Sequence, residues 1–173
     1  MEQSEARKRL ALISTGGTIE KTYDELTGVL TNRVSVLDVM LDMLVLEGVE
    51  LDRLGLMNKD SLEMTDADHQ QIAEAALEAA RTHDGVVIVH GTDRLARTGE
   101  VIQQHEGKLA VPVVLTGAMR PYVMRTTDAL QNLTEALLAV QLVPPGVYVA
   151  MHNKVLRFPG VVKDVAAGTF VRH

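Results

Sequence analysis

VVIVHGTD, at residues 86–93, joins four consecutive apolar residues to a polar turn that contains one glycine. A wholly apolar run of this kind is typical of a strand buried on both faces, as in the middle of a parallel sheet. Ligands of open α/β sheets bind outside the carboxyl ends of such strands, which is where His90–Asp93 would lie. The stretch therefore predicts a parallel sheet with a polar site at its edge.

Short strand-like runs and longer helical runs alternate on either side of this stretch. The other predicted strands are Leu10–Ser14, Leu51–Met57, Val111–Thr116 and, as a last long strand, Val147–Met151. The predicted helices are a buried one at Val34–Leu46, one that Thr65 opens with Asp68 in a capping-box pattern, Leu95–His105 and Leu130–Val140. The alternation predicts an α/β fold of three layers, a mostly parallel sheet with helices on both faces. Residues 22–33 fit neither period and are predicted to form a mobile loop or hairpin.

Composition limits the class of protein. The chain has 173 residues, of which 46% are hydrophobic and 23% charged, and we expect one globular domain over residues 1–173. A net charge of -6 and only 3% aromatic residues argue against nucleic-acid binding. The sequence has no cysteine, and it shows neither a signal peptide nor an apolar run long enough to span a membrane. A cytoplasmic protein is therefore expected.

Two further polar segments with glycine follow predicted strands: TGGT at Thr15–Thr18 and TGAMRP at Thr116–Pro121. Glycines let backbone N–H groups approach a bound anion closely. The alternative is that these residues only form tight turns and helix caps, and two such turns at adjacent strand ends leave the two interpretations evenly balanced. No dinucleotide, P-loop or metal-binding spacing is present, so neither a metal nor an organic cofactor is expected.

The histidines give a weaker signal. His90 stands at a strand end, where a site residue and a hydrogen-bonded structural residue are equally good interpretations. His69, His83 and His105 lie in polar helical contexts and are predicted to be solvated.

Five motifs, in register over almost the whole chain, resemble the bacterial-type L-asparaginase family. They are TGGTI at 15–19, the serine-bearing loop LMNKDS at 56–61, HGTD at 90–93, TGAMRP at 116–121 followed by Asp128 and Asn132-Leu133, and VKD at 162–164. The resemblance implies the fold of that family's N-terminal domain and an amidohydrolase activity on L-asparagine, with L-glutamine as a second candidate substrate.

The same resemblance implies roles for individual residues. Thr18 would be the nucleophile, and Thr92, Asp93 and Lys163 would form a second catalytic group. Ser61 and Asp93 would hold the amino-acid end of the substrate, beside Gly17 and Gly91. Backbone N–H groups near Thr92 and Ala118 would stabilise developing negative charge. Tyr23 is a candidate for the family's mobile-loop tyrosine, although Val29 stands at the position that best matches the motif.

The residue types suit this chemistry. A threonine hydroxyl is a weak nucleophile and must be activated by a base. With no cysteine and no obvious histidine partner, a lysine is the natural candidate, and a lysine can serve only if burial or a neighbouring cation lowers its pKa. Which threonine the lysine activates stays open at this stage.

The sequence also departs from the family, most of whose members have a second, smaller domain after this region. Leu62 stands where the family often has glutamine after the loop serine. From these differences we expect weaker substrate binding, altered selectivity between asparagine and glutamine, and a homo-oligomer that covers the site. The alternatives are an ammonia-supplying subunit of a tRNA-dependent amidotransferase, a non-catalytic amino-acid sensor, and an N-terminal fragment of a longer protein.

Overall fold

The structure is a computed structural model that describes residues 6–173. Its strands are β1 (Lys8–Gly16), β2 (Thr22–Asp24), β3 (Val29–Thr31), β4 (Val49–Lys59), β5 (Gly85–Val89), β6 (Pro112–Thr116), β7 (Gly146–Met151), β8 (Lys154–Arg157), β9 (Val161–Asp164) and β10 (Thr169–Arg172). Its helices are α1 (Leu37–Asp42), α2 (Asp66–Ala79), α3 (Leu95–Gln103) and α4 (Ala129–Leu142).

A six-stranded sheet organises the chain, in the order β4-β1-β5-β6-β7-β8. The first five strands are parallel, and β8 pairs antiparallel with β7. The predicted mostly parallel sheet is therefore confirmed. From β1 the chain crosses to β4 on one side and then returns to β5 on the other side of β1. This change of direction opens the crevice in which open α/β sheets hold their ligands, at the carboxyl ends of β1 and β5.

Two hydrophobic cores cover the two faces of the sheet, because alternate residues of a strand point to opposite faces. Ala11 and Ile13 of β1 face one side, where they join apolar residues of α2 and α3. Leu10 and Leu12 face the other side, with residues of α1 and α4. Helices on both faces were predicted, and this arrangement confirms them.

The helix predicted to open at Thr65 begins there. The Thr65 side chain accepts a hydrogen bond from the Asp68 N–H, and the Asp68 carboxylate accepts one from the Thr65 N–H. Such a capping box satisfies two backbone donors that the first helical turn leaves free. It fixes the start of α2 directly after the loop that carries Ser61.

One predicted helix was wrong, and three short strands were not predicted. The buried helix at Val34–Leu46 is only the six-residue α1, in which Leu37 and Met40 are buried while Val39 is exposed. A helix that packs on one face of a sheet buries only the side chains that face the sheet. An apolar sequence can therefore form a helix whose outer side is exposed. The last long strand predicted at Val147–Met151 is β7, and three short strands that were not predicted, β8, β9 and β10, follow it.

The short final strands are anchored by two phenylalanines. Phe158 and Phe170 are both about 1% exposed and belong to the core under α2 and α3. Gly99 makes room for Phe158, since a methyl group on Gly99 would lie 2.1 Å from the ring. β9 and β10 pair as an antiparallel hairpin. This anchoring brings the segment that contains Lys163 back to the carboxyl edge of the sheet.

The segment at residues 22–33 was predicted to be a loop or a hairpin, and it contains a hairpin formed by β2 and β3.

Within residues 6–173, none of the helices has the length and apolar character needed to cross a membrane.

Candidate active site

Three loops meet in direct backbone contact at the carboxyl ends of β1, β4 and β5. A methyl group on Gly17 would lie 2.4 Å from both the Cα and the N of Gly91. One on Gly91 would lie 2.6 Å from the Cβ and Oγ of Ser61. Real side chains do not approach so closely, so this packing requires glycine at both positions. The turns carrying Thr18 and Thr92 are thereby held against each other and against the serine loop.

The loop that follows β6 closes the same edge. A methyl group on Gly117 would lie 2.3 Å from the His90 carbonyl oxygen, and the next residue, Ala118, is buried. Asp128 fixes this loop, because its carboxylate accepts hydrogen bonds from the backbone N–H groups of Met119 and Arg120, each at 3.0 Å. Burial alone would raise the pKa of Asp128, but these bonds and those from His152 and Asn132 outweigh it, so its pKa lies below the usual value.

A hydrogen-bonded cluster of Thr92, Asp93 and Lys163 lies at this edge. The Lys163 Nζ donates to the Thr92 Oγ1 at 2.9 Å and to the Asp93 Oδ1 at 2.7 Å. Thr92 is 4% exposed, and the Lys163 side chain is 18% exposed. Lys163 comes from β9, where it pairs with the buried Phe170. The fold thus brings together three predicted site residues that are up to 71 positions apart.

Thr18 begins a single turn of 3-10 helix directly after Gly17 and is partly exposed. Its turn is fixed on both sides, since the Gly17 N–H donates to the Lys59 carbonyl at 2.8 Å and Ile19 is fully buried. Gly17 has a φ of 85°, a conformation that favours glycine. The turn therefore presents Thr18 at the edge of the sheet without burying it.

Ser61 lies in the next loop and is 1% exposed. Its Oγ accepts a hydrogen bond from the Arg94 N–H at 3.3 Å. Asp60 precedes it and forms an ion pair with Lys21 at 2.6 Å. The hydrogen bond from Lys21 lowers the pKa of Asp60. The pair connects the serine loop to the segment that follows Thr18.

Tyr23 lies apart from this buried cluster, on β2, with 63% of its surface exposed. A methyl group on Gly28 would be 4.0 Å from the Tyr23 hydroxyl, so the hydroxyl lies near the turn of its own hairpin. Asn32 ties the end of the hairpin to the site, because its Nδ2 donates to the Gly17 carbonyl at 2.8 Å and to the Asn58 Oδ1 at 3.2 Å. Sequence reasoning missed Asn32, which has no periodicity or motif to single it out.

The histidines take structural positions. His90 is fully buried, and its Nδ1 is 2.8 Å from the Gly91 carbonyl oxygen. His69 was predicted to be solvated, which is wrong: it is 1% exposed and its Nδ1 is 2.6 Å from the Thr98 hydroxyl. Its partner comes from α3, and a contact between two helices leaves no signal in the pattern of one.

Known proteins resemble this chain in sequence and in fold. The family model described as asparaginase, N-terminal, matches residues 9–169. An L-asparaginase from Thermococcus kodakarensis is 32% identical over 148 residues, which are 86% of this chain and 45% of that protein. One subunit of the glutamyl-tRNA(Gln) amidotransferase from Haloquadratum walsbyi is 35% identical over 150 residues, which are 86% of this chain and 34% of that protein.

Solved structures of L-asparaginases have a similar fold. The thermostable L-asparaginase from Thermococcus kodakarensis superposes with a TM-score of 0.81 at 31% identity, over 95% of this chain and 51% of that one. A probable cytoplasmic L-asparaginase from Campylobacter jejuni gives a TM-score of 0.79 at 30% identity, over 96% and 53% of the two chains. The chain spans about half the length of these structures and less than half of the curated relatives.

Proposed function

The chain belongs to the asparaginase family, whose N-terminal domain it matches over residues 9–169, and from this membership we propose that it hydrolyses L-asparagine to L-aspartate and ammonia. The observation that carries the proposal is the cluster of Thr92, Asp93 and Lys163 beside the turn that presents Thr18. It combines a hydroxyl, a lysine and an acid at the edge of a parallel sheet where ligands bind.

In the proposed first step, the Thr18 hydroxyl oxygen attacks the side-chain amide carbon of asparagine. The new C–O bond forms, the C–N bond breaks, and the proton of the hydroxyl ends on the leaving nitrogen, which departs as ammonia. Water then attacks the resulting β-aspartyl ester, releases aspartate and returns a proton to Thr18. Splitting one difficult hydrolysis into two easier steps is the advantage of a covalent intermediate.

The proposed proton route runs through Thr92 and Lys163. The Lys163 Nζ donates the bond of 2.9 Å to Thr92, so the lysine would take up a proton along this path only in its neutral form, and the bond of 2.7 Å to Asp93 orients it. Proton transfer by positioned side chains typically contributes about 10²–10⁴-fold to a rate. Ser61 and Asp93 would bind the amino-acid end of the substrate beside Gly17 and Gly91, and backbone N–H groups near Thr92 and Ala118 would face the developing oxyanion.

A second candidate function rests on the relatives that are named as amidotransferase subunits. At 35% identity, the protein from Haloquadratum walsbyi is about as similar to this chain as the asparaginase from Thermococcus kodakarensis is. The same proposed chemistry would then serve to supply ammonia to a partner that acts on an aminoacyl-tRNA. Co-purification with a large partner, and ammonia release that needs this partner, would favour this candidate.

Ammonia release from L-asparagine by the purified chain tests the proposal, with L-glutamine as a second substrate. Thr18→Ala should abolish release, while Thr27→Ala, on the exposed hairpin, should leave it unchanged. Asparagine binding by calorimetry without ammonia release would contradict the proposal and support an amino-acid sensor. The predicted homo-oligomer stays a prediction, and light scattering that shows a monomer at catalytic concentrations would contradict it.

A further inference from the structure

Behind the turn that carries Thr92, two imidazoles and a hydroxyl form a buried chain. The His69 Nδ1 lies 2.6 Å from the Thr98 Oγ1, which lies 2.7 Å from the His90 Nε2. The His90 Nδ1 lies 2.8 Å from the Gly91 carbonyl oxygen. All three side chains are at most 1% exposed, and the two rings are nearly parallel, with centroids 6.2 Å apart. We call this series the His69–Thr98–His90 chain.

Donor and acceptor counting fixes every proton in this chain. A carbonyl oxygen can only accept, so the His90 Nδ1 must carry a hydrogen and its Nε2 must accept. The Thr98 hydroxyl then donates to that Nε2, and its oxygen accepts from the His69 Nδ1–H. The His69 Nε2 remains as a buried acceptor that has no partner within residues 6–173. The chain therefore has a single direction of donation, which ends on the Gly91 carbonyl.

The surroundings keep both imidazoles neutral, as this arrangement requires. Burial lowers the pKa of His90 to about 4. Burial also lowers the pKa of His69, aided by Arg97 and Arg94 and opposed by Asp66 and Asp68. A doubly protonated His90 would carry a second hydrogen on Nε2, so Thr98 could no longer donate there and the direction of donation between Thr98 and His90 would reverse.

The Gly91 carbonyl belongs to the peptide group whose N–H is that of Thr92. Because a peptide group is planar, an anchor on its oxygen also fixes the direction of the N–H and the position of the Thr92 Cα. Gly91 has no side chain to restrict its backbone, so the anchor supplies a restraint that the residue itself lacks. Thr92 in turn must meet the Lys163 Nζ at 2.9 Å.

We propose that the His69–Thr98–His90 chain is a positioning device that holds the Gly91–Thr92 peptide in the orientation needed for the reaction. The proposal rests on the proposed amide hydrolysis at this turn. The three residues act through Thr92 and do not touch the substrate, so they are positioning residues. Their effect should appear in kcat, because misplacing a reacting group by about 1 Å can cost on the order of 100-fold in rate.

Pairs of variants with the same shape separate positioning from packing. Asn and Leu fill similar volumes, but only His90→Asn keeps a donor at the δ position for the Gly91 carbonyl. Thr98→Ser keeps the hydroxyl, and Thr98→Val removes it while preserving the branched shape. We expect His90→Leu and Thr98→Val to lower kcat by about tenfold or more with little change in KM, and the polar variants to recover most of the loss.

The experiment combines these kinetics with nitrogen NMR of ¹⁵N-histidine-labelled protein, which reports the tautomer without depending on activity. At neutral pH, both buried imidazoles should be neutral with hydrogen on Nδ1. An Nε2–H tautomer or a charged ring at His90 overturns the proposal even in an active enzyme. Equal kcat for His90→Asn and His90→Leu, or for Thr98→Ser and Thr98→Val, also overturns the proposal. If His90→Leu does not fold, the comparison of Thr98→Ser with Thr98→Val provides the test. A parent with the expected tautomers that releases no ammonia removes the proposed function, and the positioning role with it.

Discussion

The two threonines of the candidate site lie in contrasting surroundings. On the Thr92 side, which comprises residues 91–93 and Lys163, the threonine is 4% exposed and hydrogen-bonded to the lysine at 2.9 Å. On the Thr18 side, which comprises residues 17–18 and the β2–β3 hairpin, Thr18 is partly exposed and Tyr23 is 63% exposed. A nucleophile needs access to substrate, whereas proton transfer needs fixed distances. The contrast suits the proposed roles, with Thr18 as the attacking group and the Thr92 side as the group that transfers protons.

After loss of the nucleophile itself, Lys163→Met should have the largest effect, because it removes the only proton acceptor proposed on the Thr92 side. We expect kcat for ammonia release to fall by about 10²–10⁴-fold, with stability little changed. Lys108→Met, at an exposed lysine, is the control. If Lys163→Met keeps the activity of the parent, the Thr92 side is not the base and the contrast has no catalytic meaning.

Acid should destabilise the protein through the buried His69–Thr98–His90 chain behind Thr92. The pKa of His90 falls from 6.5 to about 4 in the fold, so between these values the unfolded chain binds a proton that the native state does not. The contribution of His90 to the free energy of unfolding is therefore complete above pH 6.5. It decreases as the pH falls towards 4 and stays constant below that value. His90 contributes a decrease of about 3 kcal/mol in the free energy of unfolding, and His69 acts in the same direction.

Urea unfolding at a series of pH values measures this effect in the parent and in His90→Asn. The variant lacks the titrating ring, so its free energy of unfolding should fall less over the same range. Identical pH dependence in both proteins would show that His90 is not the source.

Gly17→Ala and Gly28→Ala compare the packed turn with the open hairpin. Both glycines have positive φ, 85° and 71°, so both substitutions strain the backbone. Only at Gly17 would the new methyl group also collide with Gly91, at 2.4 Å. We expect Gly17→Ala to cost about 1–3 kcal/mol more in unfolding free energy than Gly28→Ala, and to reduce ammonia release. Equal losses in urea unfolding would contradict the backbone contact between the turns.

Tyr23→Phe should have the smallest effect. The hydroxyl lies on an exposed hairpin, so its removal should leave the unfolding temperature unchanged and lower kcat by less than about tenfold, equivalent to less than about 1.4 kcal/mol. Steady-state kinetics measures this directly. A loss as large as that of Lys163→Met would make the hairpin part of the catalytic group and would strengthen the proposed role of Tyr23 instead.

Local signals predicted most of the fold. The apolar run Val86–Val89 lies in β5 between two parallel neighbours, and the capping-box pattern at Thr65 marks the start of α2. The helix expected at Val34–Leu46 is only six residues long, and Leu37 and Met40 are its buried residues. The strands after Met151 went unpredicted because two distant phenylalanines, rather than a periodic pattern, hold them in place.

The site was harder to predict, because its contacts join distant parts of the chain. Spacing alone could not bring Lys163 to Thr92, 71 residues earlier, and the family resemblance supplied that expectation. Neither Asn32 nor His69 belongs to a recognised motif. Their partners, Gly17 and Thr98, are 15 and 29 positions away, so only the tertiary structure reveals their roles.

Trapping the acyl-enzyme tests the central claim most directly. Parent protein, mixed with L-asparagine and quenched in acid within the first turnover, would be digested and its peptides weighed by mass spectrometry, beside a Thr18→Ala sample. We predict an aspartyl ester on the peptide containing Thr18, and none in Thr18→Ala. An ester on the Thr92 peptide, or a parent that releases ammonia without an ester on either threonine, would contradict the division of roles between the two sides.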